Sequence, residues 1–330
     1  MEASMEQLNQ IMKEANFWVS RVILTAAELD IFTLLDEGPS TSSALAHRIG
    51  STPRATDRLL NSLVALDFLE KHEDLFSLSA KGEFLSSRHP QTGLPSILHY
   101  SGLWQSWSQL TSVVKEGKPA ERDRTEMDQA QRKAFIGAMD VAGRDLSVRL
   151  ADTFDASRFK RFLDIGGASG TYIIAFLRKN PHMTGVLFDL PQVIPIARER
   201  MEAEGFTNRI DLIAGDYNED ALPSGCDLAL LSAIIHQNSL AENHSLFKKI
   251  FETLDPGGVL LIRDFIMDSS RTTPKGGALF ALNMLVNTAG GDTYTFAEVS
   301  ETLQKAGFIN VELLQGQNQQ DDLVRVEKTR

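Results

Sequence analysis

The sequence predicts an α/β chain in which a mostly helical front half precedes a parallel-sheet domain. Three observations carry this. Residues 1–150 run as one amphipathic stretch after another, whereas residues 160–330 alternate short β-branched or apolar runs with amphipathic segments, the pattern of βαβ units. A glycine-rich turn, Gly166-Gly167-Ala168-Ser169-Gly170, stands between an apolar strand and a helix. The chain has 330 residues, 42% of them hydrophobic, which suits two packed domains and excludes wholesale disorder. The expected divisions are 1–95, a helical connecting region over 96–155, and 156–330.

Composition narrows the function. A net charge of −11 argues against non-specific nucleic-acid binding, which depends on neutralising phosphates. The single cysteine, Cys226, excludes a disulfide framework and a cysteine-based zinc site, and suits a reducing compartment. The N-terminus lacks a basic and apolar leader, and no run approaches membrane-spanning length. The expectation is a soluble, cytoplasmic protein without membrane or nucleic-acid partners.

Along the front half, Gln7–Leu35 carries apolar residues at helical spacing until Gly38-Pro39 stops it. Ser40–Ser43 caps a short helix over 44–49, and Ser51-Thr52-Pro53 caps a second bearing Leu59, Leu60, Leu63 and Val64. Phe68–Leu78 reads as two short strands around a charged turn. Helix, helix and ribbon make a winged-helix outline. Its second helix offers only Arg54 and Arg58, with Asp57 between them, so packing and self-association suit it better than DNA recognition. Further helices follow over 95–150, with Trp104, Trp107, Leu110, Val113 and Val114 as one apolar stripe and Phe135, Met139 and Leu146 in another.

The back half opens with the strand Arg161–Ile165, the glycine turn, and a helix from Thr171 to Lys179. Glycines let the backbone turn sharply and approach a ligand at the carboxyl end of a parallel strand. A second strand, Gly185–Asp189, ends in an acid placed to accept hydrogen bonds from ribose hydroxyls. The spacing is not that of a dinucleotide fingerprint, and Asp164 suits a cationic nucleoside better than a pyrophosphate. S-adenosylmethionine meets that description, with a dinucleotide as the alternative. A third strand, Ile210–Ala214, leads to Gly215-Asp216-Tyr217, where the acid reads either as an adenine contact or as an ordinary turn residue. Strands over Cys226–Ser232 and Val259–Asp264 follow, and Gly307–Leu314 with Asp322–Glu327 reads as a closing hairpin. The sum is a Rossmann-like, seven-stranded sheet with an antiparallel edge.

Together these segments resemble the cation-independent small-molecule O-methyltransferases, which include caffeate, hydroxyindole and bacterial polyketide enzymes. The matching stretches are Leu163–Gly170, Phe188–Ile194, Gly215–Tyr217, Leu254–Gly258 and Ala306–Phe308, and the resemblance spans nearly the whole chain. It implies a homodimer formed through the front domain, S-adenosylmethionine as methyl donor with S-adenosylhomocysteine as product, no metal, and a small aromatic or polyketide-like acceptor. It implies that Asp164, Gly166 and Gly170 line the methionine end, that Asp189 with Leu190 serves the ribose, that Gly215, Asp216 and Tyr217 flank adenine, and that Ser232 borders the same ligand. His236 falls on the family's catalytic histidine and Asp264 on the acid that orients it. Two departures bear on the base: Gln237-Asn238 replaces the usual Asp-Trp, and Thr293 stands at an expected glutamate. Ala168 replaces a commoner glycine.

Chemically, a phenol is a poor nucleophile near neutrality, and a histidine at hydrogen-bond distance can take its proton as the methyl moves. An acid on the far ring nitrogen would fix the tautomer. A lone histidine is more often a satisfied core residue; its place after the fourth strand favours the base. His244 reads as a surface residue. Phe280, Asn283, Met284 and Asn287 lie at helical spacing and, with Trp107 and Met139, are candidates for an apolar acceptor wall, although any one of them is more simply core. Two other classes stay open: a relative with C- or N-methylating or non-methylating chemistry on the same donor site, and a winged-helix regulator sensing a nucleoside.

Overall fold

The computed structural model describes residues 2–119, 129–314 and 322–329. Contacts divide the chain into two compact units, Met1–Trp104 with Asp128–Val141, and Gln105–Met127 with Ala142–Arg330. The 96–155 segment is thus shared between them.

In the first unit, the segment expected as one long helix is three: α1 (Glu2–Glu14), α2 (Trp18–Glu28) and α3 (Ile31–Asp36). The first break forms where the Asn16 carboxamide accepts the Trp18 N–H at 2.8 Å, a local turn that competes with the helix. The second forms at Asp30, whose φ of 54° is left-handed. Next come β1 (Ser40–Thr41), α4 (Ser42–Arg48), α5 (Pro53–Ala65), β2 (Leu69–His72), β3 (Leu75–Leu78) and α6 (Ala80–Glu83). Thr41 caps α4 through Ala44 N–H at 3.2 Å, and Pro53 opens α5, both as the sequence suggests. The strands pair in the order β1-β3-β2 over a core of Ile31, Phe32, Leu45, Leu60, Leu63 and Phe76.

Then follow α7 (Leu94–Trp107), α8 (Leu110–Glu116) and α9 (Gln129–Thr153). The expected Trp104–Val114 stripe is not one face. The helix breaks after Trp107, Val113 is buried, and Val114 is exposed.

The second unit is built on β4 (Arg161–Ile165), α10 (Thr171–Lys179), β5 (Thr184–Asp189), α11 (Ile194–Glu204), β6 (Ile210–Ala214), β7 (Leu228–Ser232), α12 (Leu240–Thr253) and β8 (Val259–Arg263). It continues through β9 (Ile266–Met267), α13 (Lys275–Asn287), β10 (Tyr294–Thr295), α14 (Phe296–Lys305), β11 (Ile309–Leu314) and β12 (Leu323–Glu327). Seven strands form one sheet in the order β11-β12-β8-β7-β4-β5-β6; β4 to β8 are mutually parallel, and β12 runs antiparallel to β8 and β11. The turn between β11 and β12 lies outside the described residues. Strand order reverses between β4 and β7, and a crevice at that switch point is where open α/β sheets bind ligands. Alternation divides the strand side chains between two cores. Phe162, Leu230 and Leu261 pack with α10, while Leu163, Leu231 and Ile262 face α12 and α14.

Candidate active site

The glycine turn is shaped by three left-handed residues, Gly166 (φ 68°), Ala168 (φ 50°) and Gly170 (φ 85°). Alanine is unusual there, and it is held because its N–H donates to Asp189 Oδ2 at 2.8 Å. The other Asp189 oxygen accepts the Leu190 N–H at 2.7 Å, so this carboxylate ties the end of β5 to the turn. Burial raises its pKa above the usual carboxylate value. Leu190 is partly open to solvent.

Asp164 lies beneath the turn rather than on its open side. It is 1% exposed, and its Oδ2 accepts the Ile173 N–H at 3.3 Å in the first turn of α10. A Cβ at Gly167 would stand 2.9 Å from the Asp164 carboxyl carbon, so glycine lets the turn close over this group. Burial first, and then the charge of Asp189, pushes the Asp164 carboxyl up to about 7.

At the end of β6, the Gly215 N–H donates to the Asp189 carbonyl at 2.9 Å, and a Cβ there would meet the Phe188 ring at 2.4 Å. Asp216 takes the Asn218 N–H at 2.8 Å, the geometry of a turn acid. Tyr217 packs half-buried against the α12-side core, and burial is the main cause that pushes its hydroxyl up to about 12.

His236 sits on a 3₁₀ turn, Ile235–Gln237, directly after β7. Its Nδ1 lies 2.8 and 3.0 Å from the two Asp264 oxygens, and both residues are buried. A carboxylate only accepts, so Nδ1 carries a proton, and Nε2 is the ring nitrogen left to accept one. Asp264 Oδ1 also takes the Phe265 N–H at 2.8 Å. Burial alone would raise the Asp264 carboxyl; the charge and hydrogen bond of His236, with Arg263 and the Phe265 N–H, bring it below its ordinary value. The imidazole stands edge-on to Phe280, with centroids 4.8 Å apart, and Phe265 packs on Phe280 in turn.

Sequence reasoning missed how this turn is held. Asn243 Nδ2 donates to the Ile235 carbonyl at 2.8 Å, Asn238 Nδ2 donates to Asn243 Oδ1 at 3.2 Å, and the Tyr294 hydroxyl donates to the Asn238 carbonyl. Both amides are buried, so they pin the backbone where the family's Asp-Trp would stand. Thr293 is also buried, with its hydroxyl toward the Gly277 carbonyl, while Asp292 pairs with Arg271. Among the described residues, Asp264 is the acid that hydrogen-bonds the His236 ring. His244, expected on the surface, is half-buried with Nδ1 unpartnered.

On α13, Asn283 Oδ1 accepts from Trp107 Nε1 at 2.9 Å and from Asn287 at 3.0 Å, so the end of α7 meets α13 one turn from Phe280. Met284 is 5% exposed, which makes it packing rather than an open wall. Met139 belongs to the first unit.

Residues 107–309 match the O-methyltransferase domain and residues 12–88 the O-methyltransferase dimerisation domain. The chain belongs to the O-methyltransferase family. It is 32% identical over 303 residues to the tetracenomycin polyketide synthesis 8-O-methyl transferase TcmO of Streptomyces glaucescens, covering 89% of each chain. It is 30% identical over 314 residues to acetylserotonin O-methyltransferase of Bos taurus, covering 89% of this chain and 90% of that one. The mitomycin 7-O-methyltransferase MmcR structure superposes with a TM-score of 0.86 at 27% identity, covering 99% of this chain and 98% of the other. This O-methyltransferase is accordingly an enzyme that uses S-adenosylmethionine. The crevice residues fit that ligand: an acid closes β5, half-exposed glycines clear the backbone above β4, and a half-buried tyrosine follows β6. No described helix is long and apolar enough to cross a membrane.

Proposed function

We propose that this O-methyltransferase methylates a hydroxyl of a small aromatic or polyketide-like acceptor, with His236 as general base and Asp264 as the residue that orients it. The observation that carries the reading is the bond from Nδ1 to both Asp264 oxygens, which leaves Nε2 as the free acceptor at the end of β7. When bound, S-adenosylmethionine supplies a methyl on a sulfonium. Asp189 and Leu190 would hold its ribose, Gly215, Asp216 and Tyr217 its adenine, and Gly166, Gly170 and Ser232 its amino-acid end. Asp164 would act there from beneath, by holding the first turn of α10. Trp107, Phe280 and Asn283 would orient the acceptor, with Met284 packed behind them.

His236 would then take the hydroxyl proton on Nε2 while Asp264 stabilises the imidazolium. Positioning two reactants so that attack is in line is worth about 7–11 kcal/mol in favourable cases, so most of the acceleration would come from alignment. The named polyketide and acetylserotonin relatives support a hydroxylated, flat acceptor. The matched dimerisation domain supports a homodimer formed through the front unit.

His236→Ala tests the base. We expect near-complete loss of methyl transfer to a phenolic acceptor, with S-adenosylhomocysteine affinity by calorimetry unchanged within about twofold; full retained activity would remove His236 from this role.

A further inference from the structure

Beyond its charge near Asp264, Arg263 has no assigned contact in the site above, yet it stands at the same sheet edge. It ends β8 one residue before Asp264, and strand alternation turns the two side chains to opposite faces. Asp264 meets His236; Arg263 lies on the α10 side, with Ser232 paired beside it on β7. The guanidinium spends its Nε and one terminal nitrogen on a single neutral acceptor, Ser232 Oγ, at 3.1 and 3.0 Å. It also stands 5.6 Å from the centroid of the Tyr172 ring, at the start of α10. The buried Tyr172 hydroxyl has no hydrogen-bond partner.

Among the described residues, Arg263 makes no ion pair within 4.0 Å, although it is half-buried. The half-buried arginines at other places in this sheet are paired, Arg325 with both Glu312 and Glu327 and Arg161 with Asp211. A half-buried guanidinium resting on one hydroxyl is under-used: five N–H donors in a planar fork match a carboxylate best. Ser232 is itself half-exposed, as are Gly166 and Gly167 across β4, so the open side of this pair faces the crevice at the carboxyl ends of the strands.

We propose that Arg263, with the Ser232 hydroxyl, forms a carboxylate-binding subsite of the ligand crevice. This rests on reading that crevice as the donor and acceptor site. Two ligands could bring the carboxylate: the amino-acid end of the methyl donor, or an acid group on the acceptor. Arg263 sits on the same face as α10 and the glycine turn, which favours the donor.

The test is calorimetry on the full chain, wild type against Arg263→Met and Arg263→Lys. The probes are S-adenosylhomocysteine, 5′-methylthioadenosine (which lacks the amino-acid end), and, on protein loaded with S-adenosylhomocysteine, a hydroxynaphthoate and a naphthol. If the donor supplies the carboxylate, Arg263→Met weakens S-adenosylhomocysteine by roughly 10–100-fold, the scale of a charge-assisted pair, and leaves methylthioadenosine alone. If the acceptor supplies it, only the hydroxynaphthoate weakens. Arg263→Lys should fall between in either case, because it keeps the charge and loses the fork. Unchanged affinity for both carboxylate probes, or equal losses with and without the carboxylate, would overturn the subsite. Failure of the wild type to bind S-adenosylhomocysteine would instead overturn the donor reading on which it rests.

Discussion

Two carboxylates in the same unit, Asp164 and Asp264, are both buried and are driven in opposite directions. Asp264 has an imidazole and a backbone N–H to compensate it, so its carboxyl titrates below the usual range and stays ionised through neutrality. Its stabilising contribution is present above the unfolded carboxylate pKa and is lost only as pH falls through the depressed folded value. Asp264→Asn leaves shape but not charge, and should lower kcat by about 10²–10⁴-fold while donor affinity holds, as steady-state kinetics and calorimetry would show. Asp164 has one long N–H bond and an acidic neighbour, and is raised to about 7. The sign is therefore reversed: the folded chain holds a proton that the unfolded chain releases near pH ~4, and this stability disappears as pH rises through about 7. Asp164→Asn should raise the thermal midpoint of the ligand-free protein at pH 8, by about 2–4 °C for each kcal/mol relieved, and change it little at pH 5. A midpoint unaffected at both pH values would contradict the burial argument. The sequence displayed both acids; which one has a counter-charge depended on His236 and Asp264 meeting across a separation of 28 residues.

At the scale of elements, the 3₁₀ turn that carries His236 has little internal support, since so short a helix forms few bonds of its own. It is held from outside by the amides of Asn238 and Asn243, by Tyr294, and by the segment after α13. Gly291 packs so closely that a Cβ would lie 2.3 Å from the His236 carbonyl oxygen and 3.0 Å from the Gln237 carbonyl carbon. Backbone cannot yield cheaply, so Gly291→Ala should displace the turn. We expect kcat to fall about tenfold or more with S-adenosylhomocysteine affinity kept, consistent with the sensitivity of catalysis to misplacement of ~1 Å. Directly after the turn, Ser239 and Glu242 form a reciprocal cap on α12. Ser239→Ala should cost about 0.5–2 kcal/mol in denaturant unfolding. Local rules read helices of this kind well: α10 and β6 fall on the expected residues because a strand end, a glycine turn and periodic apolar positions act within a few residues of one another. The same rules failed over Gln7–Leu35, where an uninterrupted apolar period concealed two breaks made by Asn16 and Asp30, residues whose polar side chains or left-handed backbone outweigh periodicity.

For the whole molecule, the front unit leaves Leu8, Ile11, Met12, Phe17, Trp18 and Val19 exposed along α1 and the start of α2. A run of large apolar side chains in water marks a surface that is covered by a partner. The dimerisation-domain match supports a second copy of this chain as that partner. Sedimentation should give a dimer mass, and the pair Ile11→Glu with Trp18→Glu should return a monomer; a monomeric wild type would contradict the assignment. Chain-local signals determined much by themselves. The parallel sheet, its antiparallel edge, the glycine turn, the acid closing β5 and the histidine after β7 all follow from patterns within single strand–turn–helix units, where a few neighbouring residues set the backbone. Only the tertiary structure decided which partners those groups meet. The Asp264 oxygens on Nδ1, the Tyr294 hydroxyl on the Asn238 carbonyl and Arg263 left with a neutral hydroxyl each depend on segments distant in sequence becoming neighbours. Partner identity, burial and charge balance are properties of that neighbourhood, and no local pattern contains them.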